Sequence, residues 1–154
     1  MSKVSCYIIA FNEGNKIRPA IESVIEWADE VLVCDSHSTD DTAKIAIELG
    51  ARVVQLDFDG FGKLRNDAIR HCKHRWIFSL DSDERCTPES RDEILSIVKT
   101  DDPKGHVAYF IPRQNYLLGR WVKYSGWNPD YRQPQLFRQG LLSYTTEEVH
   151  EGFN

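Results

Sequence analysis

Short apolar runs alternate with amphipathic segments over the first 100 residues of the chain. Four runs have the length and composition of buried strands, and they lie at 4–10, 30–35, 52–56 and 75–80. The segments that follow them carry apolar residues at helical spacing, at 15–29, 38–50, 63–73 and 88–100. Strands and helices that alternate through short connections form a parallel sheet with right-handed crossovers. The pattern therefore predicts an α/β fold in which helices cover a mostly parallel sheet.

Local signals indicate where the predicted helices begin and end. Pro19 and Pro88 fit the first turn of a helix, where the missing N–H costs nothing. Ser38 and Asp41 have the spacing of a capping box. Gly50 is placed to end the second helix in a left-handed conformation.

The alternation stops near residue 101. One more strand is predicted at 106–112, and the remainder is rich in aromatic residues, Gly and Arg. We interpret this remainder as short strands and loops that lie over one edge of the sheet. The sequence contains neither an internal repeat nor a low-complexity linker, so residues 1–154 are predicted to form a single domain. The final stretch VHEGFN has no closing helix or polar tail, which suggests the front part of a longer protein.

Composition and charge exclude several classes of protein. With 154 residues, 41% hydrophobic and 28% charged, the chain can form one globular core. Its net charge of −5 argues against a protein that binds duplex DNA through phosphate contacts. No apolar run approaches the roughly 20 residues that a transmembrane helix needs. The four cysteines form no CxxC pair, which favours reduced thiols in a cytosolic protein over disulfides or zinc.

Carboxylates follow the fourth predicted strand directly, in the stretch WIFSLDSDER. It contains Asp81, Asp83 and Glu84, while Asp35 ends the second strand and an Asn-Glu pair at 12–13 follows the first. Ligands of an open parallel sheet bind beyond the carboxyl ends of its strands. These acids are therefore expected at one rim of the sheet, where a ligand can bind.

Two carboxylates separated by one residue can share a divalent cation. Oxygen ligands suit Mg²⁺ or Mn²⁺, and these ions suit a phosphorylated substrate. The alternative is a solvated turn before a helix N-terminus, which also favours acids, and D-x-D alone does not decide between the two. The chain has no G-x-G-x-x-G after the first strand and no G-x-x-x-x-G-K-[ST], which argues against dinucleotide-binding and P-loop domains.

Five motifs in order resemble family 2 glycosyltransferases of the GT-A (nucleotide-diphospho-sugar transferase) fold. They are IIAFNE, VLVCDSHSTDDTAKIA, GFGKLRNDAI, WIFSLDSDER and GWNPDYRQPQLFRQG. The likeness covers nearly the whole chain and is greatest to the lipopolysaccharide-core β-glucosyltransferase type. It implies a metal-dependent hexosyltransferase that moves a sugar, with glucose expected, from a UDP-sugar to a lipid-linked glycan with inversion. Members of this family usually continue well past residue 154.

The resemblance makes residues 1–100 the half that binds the sugar nucleotide. It implies a donor site formed by Ala10, Phe11, Glu13, Asp35, Lys63, Arg65, Asn66, Asp81 and Ser82. Asp35 would accept a hydrogen bond from the base and so select uracil, although it could instead cap its own loop. Lys63 and Arg65 open a predicted helix, a favourable place for a diphosphate. Asp83 would bind the Mg²⁺ or Mn²⁺ ion.

Residues 101–154 would begin the half that binds the acceptor. Aromatic faces stack on sugar rings, and Trp121, Trp127 and Tyr131 are the candidates, with Arg132 for acceptor phosphates. A small hydrophobic core is the alternative for each aromatic residue.

Inversion needs one carboxylate that takes the proton of the acceptor hydroxyl. Glu151, in EEVHEG, is the predicted base and Asp130 the second candidate. His150 could reach the metal, although a lone histidine is more often structural.

Two other functions stay open from the sequence. A nucleotidyltransferase could use the same sheet and acids, but it would be expected to have a Gly-rich loop after the first strand. A truncated remnant could bind nucleotide without turnover. The expected partners are a UDP-sugar and a glycan or glycolipid acceptor, with no nucleic acid. A lipid-linked acceptor would place the cytoplasmic protein at the inner face of the cytoplasmic membrane, as a peripheral contact.

Overall fold

A computed structural model describes residues 2–102, 104–123, 134–146 and 152–153. Its helices are α1 (Ile17–Glu22), α2 (Thr42–Glu48), α3 (Phe61–His71) and α4 (Pro88–Thr100). Its strands are β1 (Val4–Ala10), β2 (Glu30–Asp35), β3 (Arg52–Gln55), β4 (Trp76–Ser79), β5 (Ala108–Phe110), β6 (Tyr116–Leu117), β7 (Arg120–Trp121) and β8 (Pro134–Arg138).

Six of these strands form one sheet in the order β3-β2-β1-β4-β8-β5. Strands β1 to β4 are parallel, while β8 is antiparallel to both β4 and β5. The chain passes from β1 outward to β3 and then returns to place β4 on the other side of β1. The carboxyl ends of β1 and β4 therefore flank the topological switch point, where open α/β sheets bind ligands.

Both faces of the sheet are buried. Alternate residues of β1 point to opposite faces, so that Cys6 and Ile8 join one apolar cluster and Tyr7 and Ile9 join the other. The first cluster includes residues of α1 and α4, and the second includes residues of α3. Burial on both faces explains why the strands of this sheet are almost continuously apolar in sequence.

Most of the predicted elements are confirmed, and the bounds of β1, β2 and α4 agree with the prediction. One prediction about the second half is wrong. Residues 134–138 do not lie over the edge of the sheet, because β8 is inserted between β4 and β5. Leu136 and Phe137 are fully buried there, and they supply the antiparallel partner that covers the open edge of β4. In the part of the chain that the structure describes, β6 and β7 form a separate small hairpin.

The predicted helix ends are partly confirmed. Gly50 follows α2 with φ of 90°, the left-handed stop expected there. The capping box is wrong, because α2 begins at Thr42 and its N-cap Asp41 makes no side-chain cap. Asp40 instead accepts a hydrogen bond from the Thr42 amide at 2.9 Å. The Ser38 hydroxyl is directed back to Asp35.

The segment 142–146 packs along α3. At Gly62 a Cβ atom would lie 1.9 Å from the carbonyl oxygen of Thr145, so only glycine permits this close approach. One turn later the Asn66 side chain donates to the Tyr144 carbonyl at 2.9 Å and accepts from the Tyr144 amide at 2.8 Å. These contacts fix the late segment on the helix that carries Arg65. Among the described residues, no helix has the length and apolar character to cross a membrane.

Candidate functional site

A cavity of about 620 Å³ opens at the switch point between β1 and β4. Its walls come from the end of β1, the loop after β2, the start of α3 and the loop after β4. The lining residues are Ile9, Ala10, Phe11, Glu13, Ser36, Phe58, Phe61, Leu64, Arg65, Asp81, Ser82 and Asp83. Seven of the residues predicted from the sequence for the donor or the metal are therefore brought together at one place.

The loops after β1 and β2 are joined by hydrogen bonds. The Asn12 amide donates to the Ser38 hydroxyl oxygen at 2.8 Å, and the Glu13 amide donates to the Thr42 hydroxyl oxygen at 2.8 Å. Asp40 accepts from the Gly14 amide at 3.0 Å. Asn12 itself has φ of 52°, a left-handed conformation that asparagine tolerates better than most residues. These hydrogen bonds join the loops after β1 and β2 into one connected unit at the rim of the cavity.

Asp35 is fully buried at the end of β2. Its Oδ2 accepts from the Ser38 amide at 3.1 Å and from the Gln55 side chain at 2.9 Å, and its Oδ1 accepts from the Ser38 hydroxyl. The capping alternative for Asp35 is therefore realised in the structure. A carboxylate has about four acceptor positions, so these three hydrogen bonds leave one unused. Asp35 does not line the cavity, although the next residue, Ser36, does.

Arg65 is a buried cation, only 4% exposed, and it points toward the loop after β4. Its guanidinium donates to Asp81 Oδ1 at 2.9 Å and to the Ser79 hydroxyl oxygen at 3.2 Å. It also lies 5.6 Å from the centre of the Tyr144 ring. Burial alone would lower the pKa of Arg65, but the neighbouring Tyr7 and Asp81 raise it above the usual value, so the side chain stays charged.

Arg113 is a second cation at this loop, and the sequence analysis did not identify it. Its Nε lies 2.6 Å from Glu84 Oε1, and its terminal nitrogen lies 3.5 Å from Asp81 Oδ2. Gln135 of β8 also donates to Glu84 at 3.2 Å. Burial, followed by the charge of Asp81, raises the pKa of Glu84. Arg65 and Arg113 thus offset the negative charges of Asp81 and Glu84.

Asp83 differs from the other acids of the cluster. It is exposed, and it forms no hydrogen bond or ion pair with the described part of the chain. No set of three His, Cys, Asp or Glu side chains that could hold a metal occurs within the ranges the structure describes. An exposed carboxylate beside a cavity suits a hard cation whose remaining ligands are oxygens of a phosphate or of water. Asp83 fits that role.

Aromatic and hydroxyl groups complete the cavity, and sequence reasoning missed them. Phe58 and Phe61 form an edge-to-face pair with ring centroids 5.1 Å apart, and both rings are exposed. The Ser36 hydroxyl is buried in the wall and has no hydrogen-bond partner among the described residues. The sequence did contain a signal for these two rings. Two phenylalanines in the Gly- and Asp-rich stretch DFDGFG, before a helix, are not expected to pack in the core and are therefore candidates for contact with a ligand.

Two predicted donor residues have other contacts in the structure. Lys63 Nζ lies 2.8 Å from Asp67 Oδ2 on the same helix. Asn66 uses both ends of its amide on the Tyr144 backbone. Neither residue lines the cavity, so a direct contact of either with a diphosphate stays a prediction.

Most of the predicted acceptor and catalytic residues lie outside the described residues. They are Trp127, Asp130, Tyr131, Arg132, His150 and Glu151. Trp121 is described, on β7, with its side chain partly exposed and the Lys123 ammonium 5.1 Å from its ring centre. An exposed indole face beside a cation is compatible with sugar stacking.

Arg113→Gln is expected to destabilise the fold in a pH-dependent way. Because the pKa of Glu84 is raised in the folded state, the contribution of Glu84 to the stability of the fold is fully present at low pH. That contribution is lost as the pH rises through the raised pKa. Arg113 offsets this loss, because it pairs with the ionised form. Urea unfolding should show a loss of about 1–3 kcal/mol at about pH 8 and less at about pH 5.

The matched control is Arg91→Gln, which removes an exposed arginine that pairs with Asp92 on α4. That change should leave the free energy of unfolding essentially unchanged at both pH values, because exposed ion pairs contribute little to stability. A loss for Arg113→Gln that is equal at both pH values would contradict the coupling to Glu84.

An open, mostly parallel sheet with an acid-lined cavity at its switch point defines a class of α/β domains that bind ligands at this edge of the sheet. The family model described as Glycosyl transferase family 2 matches residues 5–150, so the chain belongs to this family. Its fold is the GT-A fold of that family. The family and the fold predicted from the motifs are both confirmed.

Two relatives show how far the similarity extends. An uncharacterized glycosyltransferase of Rickettsia felis is 40% identical over 111 residues, which cover 72% of this chain and 39% of that protein. The lipopolysaccharide core biosynthesis glycosyltransferase LpsC of Rhizobium meliloti is 30% identical over 97% of this chain and 56% of that protein. The chain therefore spans between about two-fifths and three-fifths of the length of these relatives.

Solved structures show the same fold. TarS of S. aureus superposes with a TM-score of 0.70 over 94% of this chain and 51% of that one, at 22% identity. Glucosyl-3-phosphoglycerate synthase of Mycobacterium tuberculosis, solved with Mn²⁺, UDP and glucosyl-3-phosphoglycerate, has a TM-score of 0.50. That similarity covers 55% of this chain and 36% of the synthase, at 28% identity.

Proposed function

We propose that this chain binds the donor of an inverting glycosyltransferase that moves a sugar, with glucose expected, from a UDP-sugar to a lipid-linked glycan. The observation that carries the proposal is the cavity at the β1/β4 switch point, where Asp83, which has no counterion among the described residues, lies beside the neutralised Asp81. A diphosphate and a divalent cation are the ligands that such a charge distribution suits.

Asp83 is the proposed protein ligand of the metal, with His150 as a predicted second ligand. The synthase of M. tuberculosis, which was solved with Mn²⁺ and UDP, supports Mn²⁺ as the ion. Bound there, a divalent cation would stabilise the negative charge of the departing diphosphate. Arg65 holds Asp81 in place from the protein side, so Asp81 and Ser82 are proposed to contact the ribose or the sugar.

The nucleoside is proposed to lie against Ala10 and Phe11, with the exposed rings of Phe58 and Phe61 opposite. The unpartnered Ser36 hydroxyl supports a polar ligand group at this wall, because buried polar groups normally have a partner. Glu13 is the remaining polar side chain on the β1 side. Asp35 is proposed to accept from the base through its fourth acceptor position. Because Asp35 is fully buried, the base reaches it only after a local shift of the loop that covers it.

The catalytic and acceptor assignments remain predictions. Glu151 is the proposed base and Asp130 the second candidate. Trp121, Trp127, Tyr131 and Arg132 are proposed for the acceptor.

A lipopolysaccharide core as acceptor is supported by the name of the R. meliloti relative. The oligosaccharide of such an acceptor is carried on a lipid. Transfer would then take place at a membrane surface, and the cytoplasmic face is the proposed side because UDP-sugars are the donors.

We expect UDP to bind this chain about tenfold or more tightly than CDP in the presence of Mn²⁺. The two nucleotides have the same size, but N3 of uracil donates a hydrogen bond whereas N3 of cytosine accepts one. An acceptor such as Asp35 distinguishes these two patterns. Calorimetric titration of both nucleotides, with GDP and ADP for comparison, measures the preference.

Titration with UDP after removal of metal by EDTA is the control for the metal. Equal affinities for UDP and CDP would contradict the role of Asp35 as the base acceptor, while leaving the diphosphate site intact. Absence of measurable UDP binding with Mn²⁺ would contradict the proposed function itself.

A further inference from the structure

The hairpin formed by β6 and β7, residues 116–121, exposes four apolar side chains to solvent. The exposed fractions are 64% for Tyr116, 63% for Leu117, 95% for Leu118 and 41% for Trp121. Single exposed apolar residues are common on protein surfaces. Tyr116 pairs with Trp121, so these two rings share one face of the hairpin, whereas Leu117 shares the other face with Arg120. Apolar groups are thus exposed on both faces and at the turn of one short hairpin, and such clusters mark interaction sites.

The turn of this hairpin makes Leu118 difficult to explain by folding. Leu117 pairs with Arg120, so Leu118 and Gly119 form a two-residue turn, with φ of 50° and 77°. Turns with two positive φ values favour Asn-Gly or Asp-Gly, because a bulky side chain is strained in the left-handed region. A leucine at this position gains no burial within the chain, so neither the turn nor the core accounts for it.

The charge around the hairpin is opposite to that of the whole chain. The net charge of the protein is −5, yet residues 103–129 contain no Asp or Glu. Within this stretch Arg120 is exposed on the hairpin, Lys123 is exposed two residues beyond it, and Arg113 lies at its base. Leucines and aromatic rings flanked by Arg and Lys are typical of a surface that enters the interface of an anionic bilayer.

We infer that the 116–121 hairpin is a membrane-contact element that inserts Leu117 and Leu118 between the headgroups of an anionic bilayer while Arg120 and Lys123 bind lipid phosphates. Arg113 connects the base of the hairpin to Asp81 and Glu84, at 3.5 Å and 2.6 Å. A hairpin anchored in lipid would hold the cavity beside the membrane surface. The inference goes beyond the proposed transfer and does not depend on it.

Co-sedimentation of the full 154-residue chain with lipid vesicles tests this element. We expect binding to vesicles of phosphatidylcholine with about one-third phosphatidylglycerol, and much weaker binding to phosphatidylcholine alone. The Leu117→Asn/Leu118→Asn variant should bind the anionic vesicles with an affinity that is lower by about tenfold or more. Asparagine is favoured at left-handed positions, so Leu118→Asn should not disturb the turn.

Leu141→Asn is the matched control, because Leu141 is 55% exposed but belongs to the loop after β8 and not to the hairpin. Its vesicle affinity should equal that of the unchanged chain. Arg120→Gln/Lys123→Gln should weaken binding to anionic vesicles and reduce its salt dependence between about 0.1 M and about 0.5 M salt. UDP affinity, measured in parallel without lipid, reports whether each variant keeps its donor site.

Three results would overturn the inference. The first is no binding of the unchanged chain to anionic vesicles, and the second is binding that the double leucine variant retains. The third is a chain that is dimeric in solution, becomes monomeric with the leucine changes and never binds vesicles, because the hairpin would then be a protein–protein contact.

Discussion

Asp83→Asn should abolish the effect of Mn²⁺ on UDP affinity. Three carboxylates lie within four residues, and two of them are compensated by arginines: Asp81 by Arg65 at 2.9 Å and Glu84 by Arg113 at 2.6 Å. Asp83 alone keeps its charge without a counterion in the described chain. The amide has nearly the same shape but carries no charge, and a neutral oxygen is a poor ligand for a hard cation.

Titration of UDP with and without Mn²⁺ gives the ratio of the two affinities. We expect the ion to strengthen binding by about tenfold or more in the unchanged chain, and the ratio to fall close to one in the variant. Stability should change by less than about 0.5 kcal/mol, because an exposed rim residue contributes no core packing. Asp92→Asn, an exposed substitution on α4, is the control for a general loss of negative charge. An unchanged ratio in Asp83→Asn would exclude Asp83 as the metal ligand.

The strands and the rim acids could be predicted because their signals are local. A strand buried on both faces, such as β1, has a continuous apolar sequence, and a turn immediately after it must lie at the sheet edge. β8 could not be predicted in this way. Only the contact of Leu136 and Phe137 with β4, some 60 residues earlier, makes the segment a strand.

The arginines of the site show the same limit. Arg65 was predicted to contact a diphosphate, since it lies near the start of a helix. The structure instead directs it to Asp81, 16 residues later in the chain. Arg113 lies 32 residues from Asp81, in a stretch that gave no local signal. Residue type and spacing identify which acids lie at a rim, but the folded chain determines which of them are already neutralised. That difference singles out Asp83.

Arg65→Met should cause a large loss of stability together with a loss of UDP affinity. The Arg65 side chain is buried between Ser79, Asp81 and Tyr144. Methionine fills most of the volume but leaves Asp81 with the more distant Arg113 as its one cationic partner among the described residues. Breaking one side of a buried ion pair costs roughly 3–5 kcal/mol. We expect about 3 kcal/mol here, the lower end of that range, because the Asp81 side chain is 29% exposed and water screens part of its charge.

Urea unfolding and UDP titration measure the two effects separately. Arg65→Lys keeps the charge but loses the planar fork, so its loss of stability should be intermediate. Arg70→Met removes an exposed arginine from the same helix. Its free energy of unfolding should be within about 0.5 kcal/mol of that of the unchanged chain. Combined with Asp81→Asn, Arg65→Met should show a coupling energy above about 1 kcal/mol, since the two residues act as a pair.

The alternative for Arg65 has a different signature. If Arg65→Met is as stable as the unchanged chain and shows no coupling to Asp81→Asn, yet no longer binds UDP, the guanidinium acts on the nucleotide directly. The hydrogen bond to Asp81 would then exist only until a diphosphate replaces the carboxylate. A loss of both stability and affinity, with coupling to Asp81, identifies Arg65 as the residue that positions Asp81 for the donor.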